Sequence, residues 1–154
     1  MLGEDFIFLK DLKSSAVISI HTKYLNLILE SKKVFEYRNF IPKKHNGYFW
    51  VYETSPTKEL KYLMKVGKAI VFPDKINIDT YGSARFNSEE MKCKYAYPIL
   101  EIYELNCDLS YSVLKQHRFV PPQAFSYMDT YPELFKYIID YGFISSKGII
   151  NEFL

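Results

Sequence analysis

The sequence predicts an α+β fold, a small mixed β-barrel flanked by helices. Short β-branched or aromatic segments alternate with amphipathic helical segments in the order β-α-β-β-β-(α)-β-α, with turn signals suited to hairpins and few long crossovers. The length of 154 residues fits one domain. With 48% hydrophobic and 25% charged residues, the composition is globular and excludes gross disorder.

The first two elements are a strand and an amphipathic helix. Residues 16–21 are rich in β-branched side chains and follow a serine pair, which predicts a buried strand. Thr22 is the predicted N-cap of the next helix, and Lys32 and Lys33 are expected to close it, where positive charge suits the helix dipole. The apolar side chains of this helix share one face: Tyr24, Leu25, Ile28 and Leu29.

Charged and aromatic side chains alternate along the next predicted strand. Residues 34–40 place Glu36 and Arg38 on one face and two aromatic side chains on the other. Pro42 ends this strand, and Asn46-Gly47 predicts a hairpin into the following one.

The middle of the chain is predicted to be mainly strand. Residues 48–54 form one strand, closed by Ser55-Pro56, and residues 59–72 form another with a bulge near Gly67. A helix over 59–65 competes with the latter prediction. The polar segment 73–92 is predicted to be a long connection that contains a short helix around 88–91. A long strand follows, in which Pro98 indicates an edge or a bulge.

Two helices complete the prediction. Ser110 begins a short one, residues 120–128 are irregular, and residues 130–143 contain an amphipathic helix with Gly142 as its C-cap candidate. The predicted organisation is an N-terminal extension (1–15), a barrel domain (16–128) and a C-terminal helix packing on the same domain (129–154).

Composition and charge exclude several classes of protein. No apolar stretch reaches the length of a membrane span, and charges interrupt the apolar N-terminal run, so we expect no membrane association and a cytoplasmic protein. Cys93 and Cys107 lack metal or redox spacing, and the three histidines lack ligand spacing, so neither metal nor cofactor is expected. The formal net charge of +2 does not by itself imply nucleic acid.

Four motifs, spread over residues 17–127, resemble the ASCH domain of the PUA-like superfamily. They read SIHTKYLNLILESKKVFEYR, WVYETSP, YAYPILEIYEL and PPQAFSY. Lys33, Glu36 and Arg38 occupy the Lys, Glu and Arg positions of the family's helix-strand element. Thr22 stands where many members have Pro, Val34 where Thr is common, and Ser31 where the helix usually ends in Gly. A serine forced into the left-handed region costs on the order of 1 kcal/mol.

The resemblance implies a barrel with a cleft beside the first helix and second strand, in a module that binds RNA or modified nucleotides. Arg38 and Glu36 would then contact phosphate and an exocyclic amine. Lys33, Lys43 and Lys44 would supply phosphate attraction. The aromatic and polar candidates for base contact are Tyr52, Ser55, Gln123 and Phe125. A solvated basic face without a ligand is the structural alternative.

The expected partner is RNA or single-stranded nucleic acid, and a homodimer is left open. The alternative function is a nucleic-acid-directed hydrolase, of acylcytidine amidohydrolase or ribonuclease type. Members resembling the amidohydrolases use a Lys, a Thr three residues later and a distant Glu, but here Glu36 fills the Thr position after Lys33. A carboxylate is a poor replacement for that nucleophile, so a binding role is favoured over an enzyme. A third alternative is a protein-interaction domain.

Overall fold

A computed structural model describes residues 11–142 and the strand Ile144–Ile149. The strands are β1 (Ala16–Ile20), β2 (Phe35–Arg38), β3 (Tyr48–Glu53), β4 (Glu59–Val66), β5 (Ile70–Val71), β6 (Tyr95–Leu105), β7 (Ser126–Tyr127) and β8 (Ile144–Ile149). The helices are α1 (Thr22–Leu29), α2 (Ser83–Asn87), α3 (Tyr111–Gln116) and α4 (Pro132–Tyr141), with 3-10 turns at Leu12–Ser14 and Met128–Thr130.

The strands form one curled mixed sheet in the order β2-β6-β4-β3-β1-β7. Strands β5 and β8 both pair with β6, and β1 runs parallel to β3, whereas the other described pairs are antiparallel. The curl produces a half-barrel, with four helices among the described residues, which confirms the predicted fold class. Strand β2 lies at one end of the order and β1 with β7 at the other.

Strand β6 holds the sheet together because it changes partners along its length. Its first residues pair with β2 and β5, and its later residues pair with β4 and β8. The β4–β6 register shifts between Lys65 and Val66, directly before Gly67, so the predicted strand and its bulge are confirmed and the competing helix is wrong. Pro98 faces Phe35 of β2 and accepts the Gly67 N–H at 2.8 Å beside this irregularity.

The core continues from the sheet onto α4. Trp50 on β3 is fully buried, and its indole Nε1 donates to the carbonyl of Leu12 at 3.1 Å. Leu134, Phe135 and Ile138 are buried in the same cluster, as the amphipathic pattern predicts. Residues 1–10 of the predicted N-terminal extension lie outside the described residues, but Leu12 belongs to this core.

The predicted hairpin between β2 and β3 is wrong. Strand β2 pairs with β6, and β3 pairs with β1 and β4, so the chain crosses the molecule between them. Gly47 does adopt a turn conformation, with φ at 90°. Asn46 accepts a hydrogen bond from the Ser15 hydroxyl at 2.9 Å, which ties the loop to the residue before β1.

The predicted helix around 88–91 is also wrong. Helix α2 begins at Ser83, after Gly82 with a φ of 84°, and its Phe86 is buried in the core. Glu89 and Lys92 have left-handed backbones, which interrupt any helix there.

The helix ends differ from the prediction in detail. His21 occupies the N-cap of α1, and Thr22 is its first residue, with a hydroxyl that donates to Glu53 at 2.7 Å. The helix ends at Leu29, before the lysines expected to close it. Gly142 follows α4 in an extended conformation, and strand β8 then joins the sheet where only a helix was predicted. Within the described part of the chain, no helix has the length and apolarity needed to cross a membrane.

Candidate ligand-binding cavity

A cavity of about 360 Å³ opens between β1 and β2, and we call it the β1–β2 cavity. Three parts of the chain line it: the β1–α1 junction (Ser19, Ile20, His21, Tyr24), the β2 region (Lys33, Glu36, Tyr37, Arg38) and the segment after β5 (Tyr81, Arg85, Met91, Cys93). Because β1 and β2 belong to opposite ends of the strand order, the cavity occupies the open seam of the half-barrel.

A buried charge cluster forms the floor of the cavity. Lys33 Nζ donates to Glu36 Oε1 at 2.7 Å and to the carbonyl of Phe35, also at 2.7 Å. Arg38 Nε donates to Glu36 Oε2 at 2.8 Å. Lys33 and Glu36 are only 4% and 5% exposed, so their charges are largely withdrawn from water. Buried charges are tolerated only when paired and hydrogen-bonded, as these are.

The two cations keep Glu36 ionised. Burial raises the pKa of Glu36, but the charges of Lys33 and Arg38 and their hydrogen bonds outweigh burial and leave the pKa below its ordinary value of 4.5. Glu36 is therefore a carboxylate at neutral pH, and each of its oxygens already accepts one hydrogen bond. The remaining lone pairs can accept from a ligand.

Arg38 joins the two sides of the seam. A second guanidinium nitrogen donates to the carbonyl of Ser19 on β1 at 2.9 Å, while the same side chain binds Glu36 on β2. Strand β7 pairs with β1 only at Ala16 and Val17, so the backbone of Ser19 lies beyond that ladder. The guanidinium thus replaces a ladder contact at the point where the half-barrel is open.

The turn after α1 delivers Lys33 to the cavity. Ser31 has a φ of 60°, which confirms the left-handed conformation predicted for this position. The N–H groups of Ser31 and Lys32 donate to the carbonyls of Ile28 and Leu27, at 3.0 and 2.8 Å. This is the Schellman pattern that ends a helix and reverses the chain.

The cavity has an aromatic wall formed by Tyr24 of α1, Tyr37 of β2 and Tyr81 of the segment after β5. The hydroxyl of Tyr37 donates to the carbonyl of Tyr81 at 2.6 Å, and the Tyr81 N–H donates to the carbonyl of Lys32 at 3.1 Å. The rings of Tyr24 and Tyr81 lie 6.0 Å apart. Alternation places Tyr37 opposite Glu36 and Arg38, yet its ring also reaches the cavity.

Two other titratable side chains of the cavity, Tyr37 and Cys93, are poorly suited to act as bases or nucleophiles at neutral pH. Burial, with a contribution from Glu36, raises the pKa of Tyr37 far above its ordinary value. Burial also raises the pKa of the Cys93 thiol, although nearby cations partly oppose it. Both groups therefore keep their protons at neutral pH. No group of three His, Cys, Asp or Glu side chains suited to a metal occurs in the described ranges 11–142 and 144–149.

Lys43 and Lys44, predicted as phosphate contacts, do not line the β1–β2 cavity. Both are exposed on the loop before β3. Lys44 Nζ forms an ion pair with Asp129 at 2.6 Å and lies 4.2 Å from the centre of the Tyr127 ring. Its charge is therefore partly compensated within the protein.

The four predicted base contacts also lie away from this cavity. Tyr52 is only 4% exposed and packs on Phe119 in the main core, so base stacking on its ring is excluded. Ser55 and Gln123 are exposed, and half-buried Phe125 packs on Phe40 with ring centres 4.9 Å apart. Alternation alone does not distinguish a groove-facing ring from a core ring, which explains the error at Tyr52.

The sequence prediction missed nine of the residues that line the cavity, namely Ser19, Ile20, His21, Tyr24, Tyr37, Tyr81, Arg85, Met91 and Cys93. Three of them, Tyr81, Arg85 and Met91, belong to the polar segment 73–92. Its length was the available signal, because long connections in compact domains are usually functional or disordered.

Comparison with solved structures identifies the fold. The crystal structure of ASCH from Zymomonas mobilis matches this chain with a TM-score of 0.55 and 21% sequence identity. The match covers 75% of this chain and 87% of the Zymomonas mobilis chain. The chain has an ASCH-like fold. Two mutant structures of that protein, one with a serine changed to alanine and one with a tyrosine changed to phenylalanine, also match. Both have 20% identity, with TM-scores of 0.55 and 0.57, and cover 80% and 79% of this chain and 96% of the other.

No protein-family model and no curated protein sequence matches the chain. At this identity the likeness concerns the fold alone. Within the ASCH-like fold, the β1–β2 cavity lies beside α1 and β2.

Proposed function

We propose that the chain binds RNA or modified nucleotides, with a base entering the β1–β2 cavity. The observation that carries this proposal is the pairing of a buried, ionised carboxylate with two cations at the floor of a cavity of about 360 Å³. Such a volume suits one nucleoside-sized group. A carboxylate can accept from an exocyclic amine, and Arg38 can donate to a base carbonyl or a phosphate.

The aromatic wall supports recognition of an unpaired base. Tyr24 and Tyr81 stand together at the cavity, and a base can stack on an exposed ring face, a contact worth about 1–3 kcal/mol. A double helix cannot present a single base in this way unless the base is extruded. RNA loops, single strands and free modified nucleotides are therefore the ligand classes that fit.

The same contacts favour ligand binding over catalysis. The lowered pKa of Glu36 makes it a weak general base at neutral pH, and the raised pKa values of Tyr37 and Cys93 leave them protonated. The hydrolase alternative retains one supporting contact, the 2.7 Å bond between Lys33 and Glu36. Incubating the protein with RNA and acylcytidines, followed by mass analysis, tests that alternative, and turnover lost in Lys33→Met would support it.

Chemical-shift mapping tests the binding proposal. On adding short single-stranded RNAs or nucleotides to isotopically labelled protein, we expect shifts to concentrate in residues 19–24, 33–38 and 81–93. Tyr24→Ala should weaken binding roughly tenfold through loss of stacking, whereas Tyr111→Ala, which removes an exposed ring elsewhere, should not. Unchanged spectra with every ligand, or shifts confined to Lys43 and Lys44, would overturn the proposal.

A further inference from the structure

One cation at the β1–β2 cavity has no partner within the described part of the protein. Lys33 and Arg38 both bind Glu36, but no ion pair or side-chain hydrogen bond engages Arg85 among residues 11–142. Arg85 is exposed on α2 and lines the cavity. The charged lining residues are three cations and one carboxylate, so the cavity carries a formal net charge of +2.

Contacts to the turn before β2 hold the segment that carries Arg85. The hydroxyl of Thr80 donates to the carbonyl of Lys32 at 3.0 Å and accepts from the N–H of Val34 at 3.2 Å. Gly82 then turns the chain into α2, with Tyr37 and Met91 directly beneath it. Arg85 therefore projects from a helix that is anchored to the turn before β2.

The acidic residues nearby do not neutralise this cation. Glu89 and Glu90 line a neighbouring cavity that shares only Cys93 with the β1–β2 cavity. Neither forms an ion pair with Arg85. An excess of positive charge in a concave site raises the local concentration of anions and favours an anionic ligand.

Resting on the proposed function, we infer that the ligand carries a phosphate that binds Arg85. The guanidinium group offers a planar set of donors that matches phosphate oxygens, and it gives a neutral nucleoside nothing comparable. With the base at Glu36 and Arg38, the phosphate lies towards α2. Arg85 thus selects nucleotides and nucleic acid over nucleosides.

Calorimetric titration of the full chain tests the inference. The ligands are the four common ribonucleosides, their 5′- and 3′-monophosphates, a short single-stranded RNA and inorganic phosphate. We expect a monophosphate to bind about tenfold tighter than its nucleoside, the ratio given by one charge-assisted contact. Inorganic phosphate should compete with the monophosphate. The affinity of the short RNA, compared with that of the monophosphates, distinguishes polymer binding from free-nucleotide binding.

Arg85→Gln should remove the tenfold preference of the protein for the monophosphate over its nucleoside. For RNA it should also reduce the slope of log affinity against log salt by about 0.7, the value for one lost phosphate contact. Arg118→Gln is the matched control, because Arg118 is exposed on a different cavity and should change neither quantity. Because Arg85 is exposed, thermal unfolding should show that the variant folds.

Two results would overturn the inference while the proposed function stands: equal affinity for nucleoside and monophosphate, or an unchanged preference in Arg85→Gln. If neither nucleosides, nucleotides nor RNA bind, the proposed function fails as well. The two failures are therefore distinguishable.

Discussion

Glu36 decides whether the cavity floor is stable, because it is the carboxylate that binds both Lys33 and Arg38. Withdrawing a charged group from water costs several kcal/mol, and only well-formed pairs offset that cost. The side chain of Lys33 is 5% exposed and has little access to compensating water. Any change that removes the carboxylate charge leaves a buried ammonium beside a guanidinium.

The first prediction concerns removal of this charge. Glu36→Gln should lower the free energy of unfolding by about 3–5 kcal/mol, because it leaves Lys33 buried without an opposite charge. Glu30→Gln is the control, since Glu30 and Lys32 form an exposed pair worth about 0–1 kcal/mol. Urea denaturation at neutral pH measures both. Equal losses in the two variants would contradict the buried-pair explanation.

The second prediction concerns acid. The folded-state pKa of Glu36 lies below that of the unfolded chain, so the unfolded state binds more protons and stability falls as pH decreases. The contribution of Glu36 is complete above pH 4.5 and is lost as pH falls through the lowered folded-state pKa. Denaturation of wild type and Glu36→Gln across this range should give a steeper acid loss for wild type. Parallel curves would exclude Glu36 as a source of the pH dependence.

Among the elements, the docking of α2 onto β2 depends on a glycine. A Cβ at Gly82 would lie 2.7 Å from the Tyr37 ring and 2.8 Å from the Met91 methyl group, in a backbone with φ at 84°. At Gly47, where φ is 90°, the nearest atom is the carbonyl oxygen of Val66 at 3.6 Å. The two glycines therefore share the backbone requirement but differ in available space.

The third prediction uses this difference. Gly47→Ala should cost about 1 kcal/mol through left-handed strain. Gly82→Ala should cost about 1–3 kcal/mol more, because its methyl group also overlaps a ring tethered through the Tyr37 hydroxyl. Thermal or urea unfolding ranks the two variants. A loss at Gly82 no larger than that at Gly47 would show that the contact with Tyr37 and Met91 relaxes freely.

The sequence predicts helices, strands and turns correctly where the signal for each lies within its own residues. Strand β2 and helix α1 follow from periodicity, and Ser31 was expected in a left-handed turn because it replaces glycine. The hairpin prediction failed because Asn46-Gly47 specifies a turn but not the partner of β2, which is the distant strand β6. Register between distant strands depends on packing that no short motif encodes.

The same limit applies to the cavity. Lys33, Glu36 and Arg38 come together because they lie on one short stretch, so a motif reveals them. Arg85 reaches the cavity only because Thr80 binds Lys32 and Val34, across a separation that sequence spacing does not report. Tyr52 on β3 packs in the core whereas Tyr24 on α1 lines the cavity, and tertiary packing decides which tyrosine faces the cavity.

For the whole molecule, the main core spans both ends of the described chain. Leu12, Trp50 and Ile138 belong to one buried cluster, so the N-terminal turn, the sheet and α4 share their packing. The ring of Trp50 meets that of Phe135 on α4 edge-on, with centres 6.4 Å apart. Trp50 is the only tryptophan of the sequence, so its fluorescence reports this junction alone.

The fourth prediction follows from the shared core. Leu134→Ala should destabilise the entire protein by about 2–5 kcal/mol, because it removes a fully buried side chain from the junction. Tyr141→Ala, on the same helix but 69% exposed, should have little effect. In wild type and both variants, fluorescence of Trp50 and far-ultraviolet circular dichroism should follow one transition, since helix and sheet unfold together. If Leu134→Ala separated the two transitions, α4 would be an independently melting element and the single-core interpretation would be wrong.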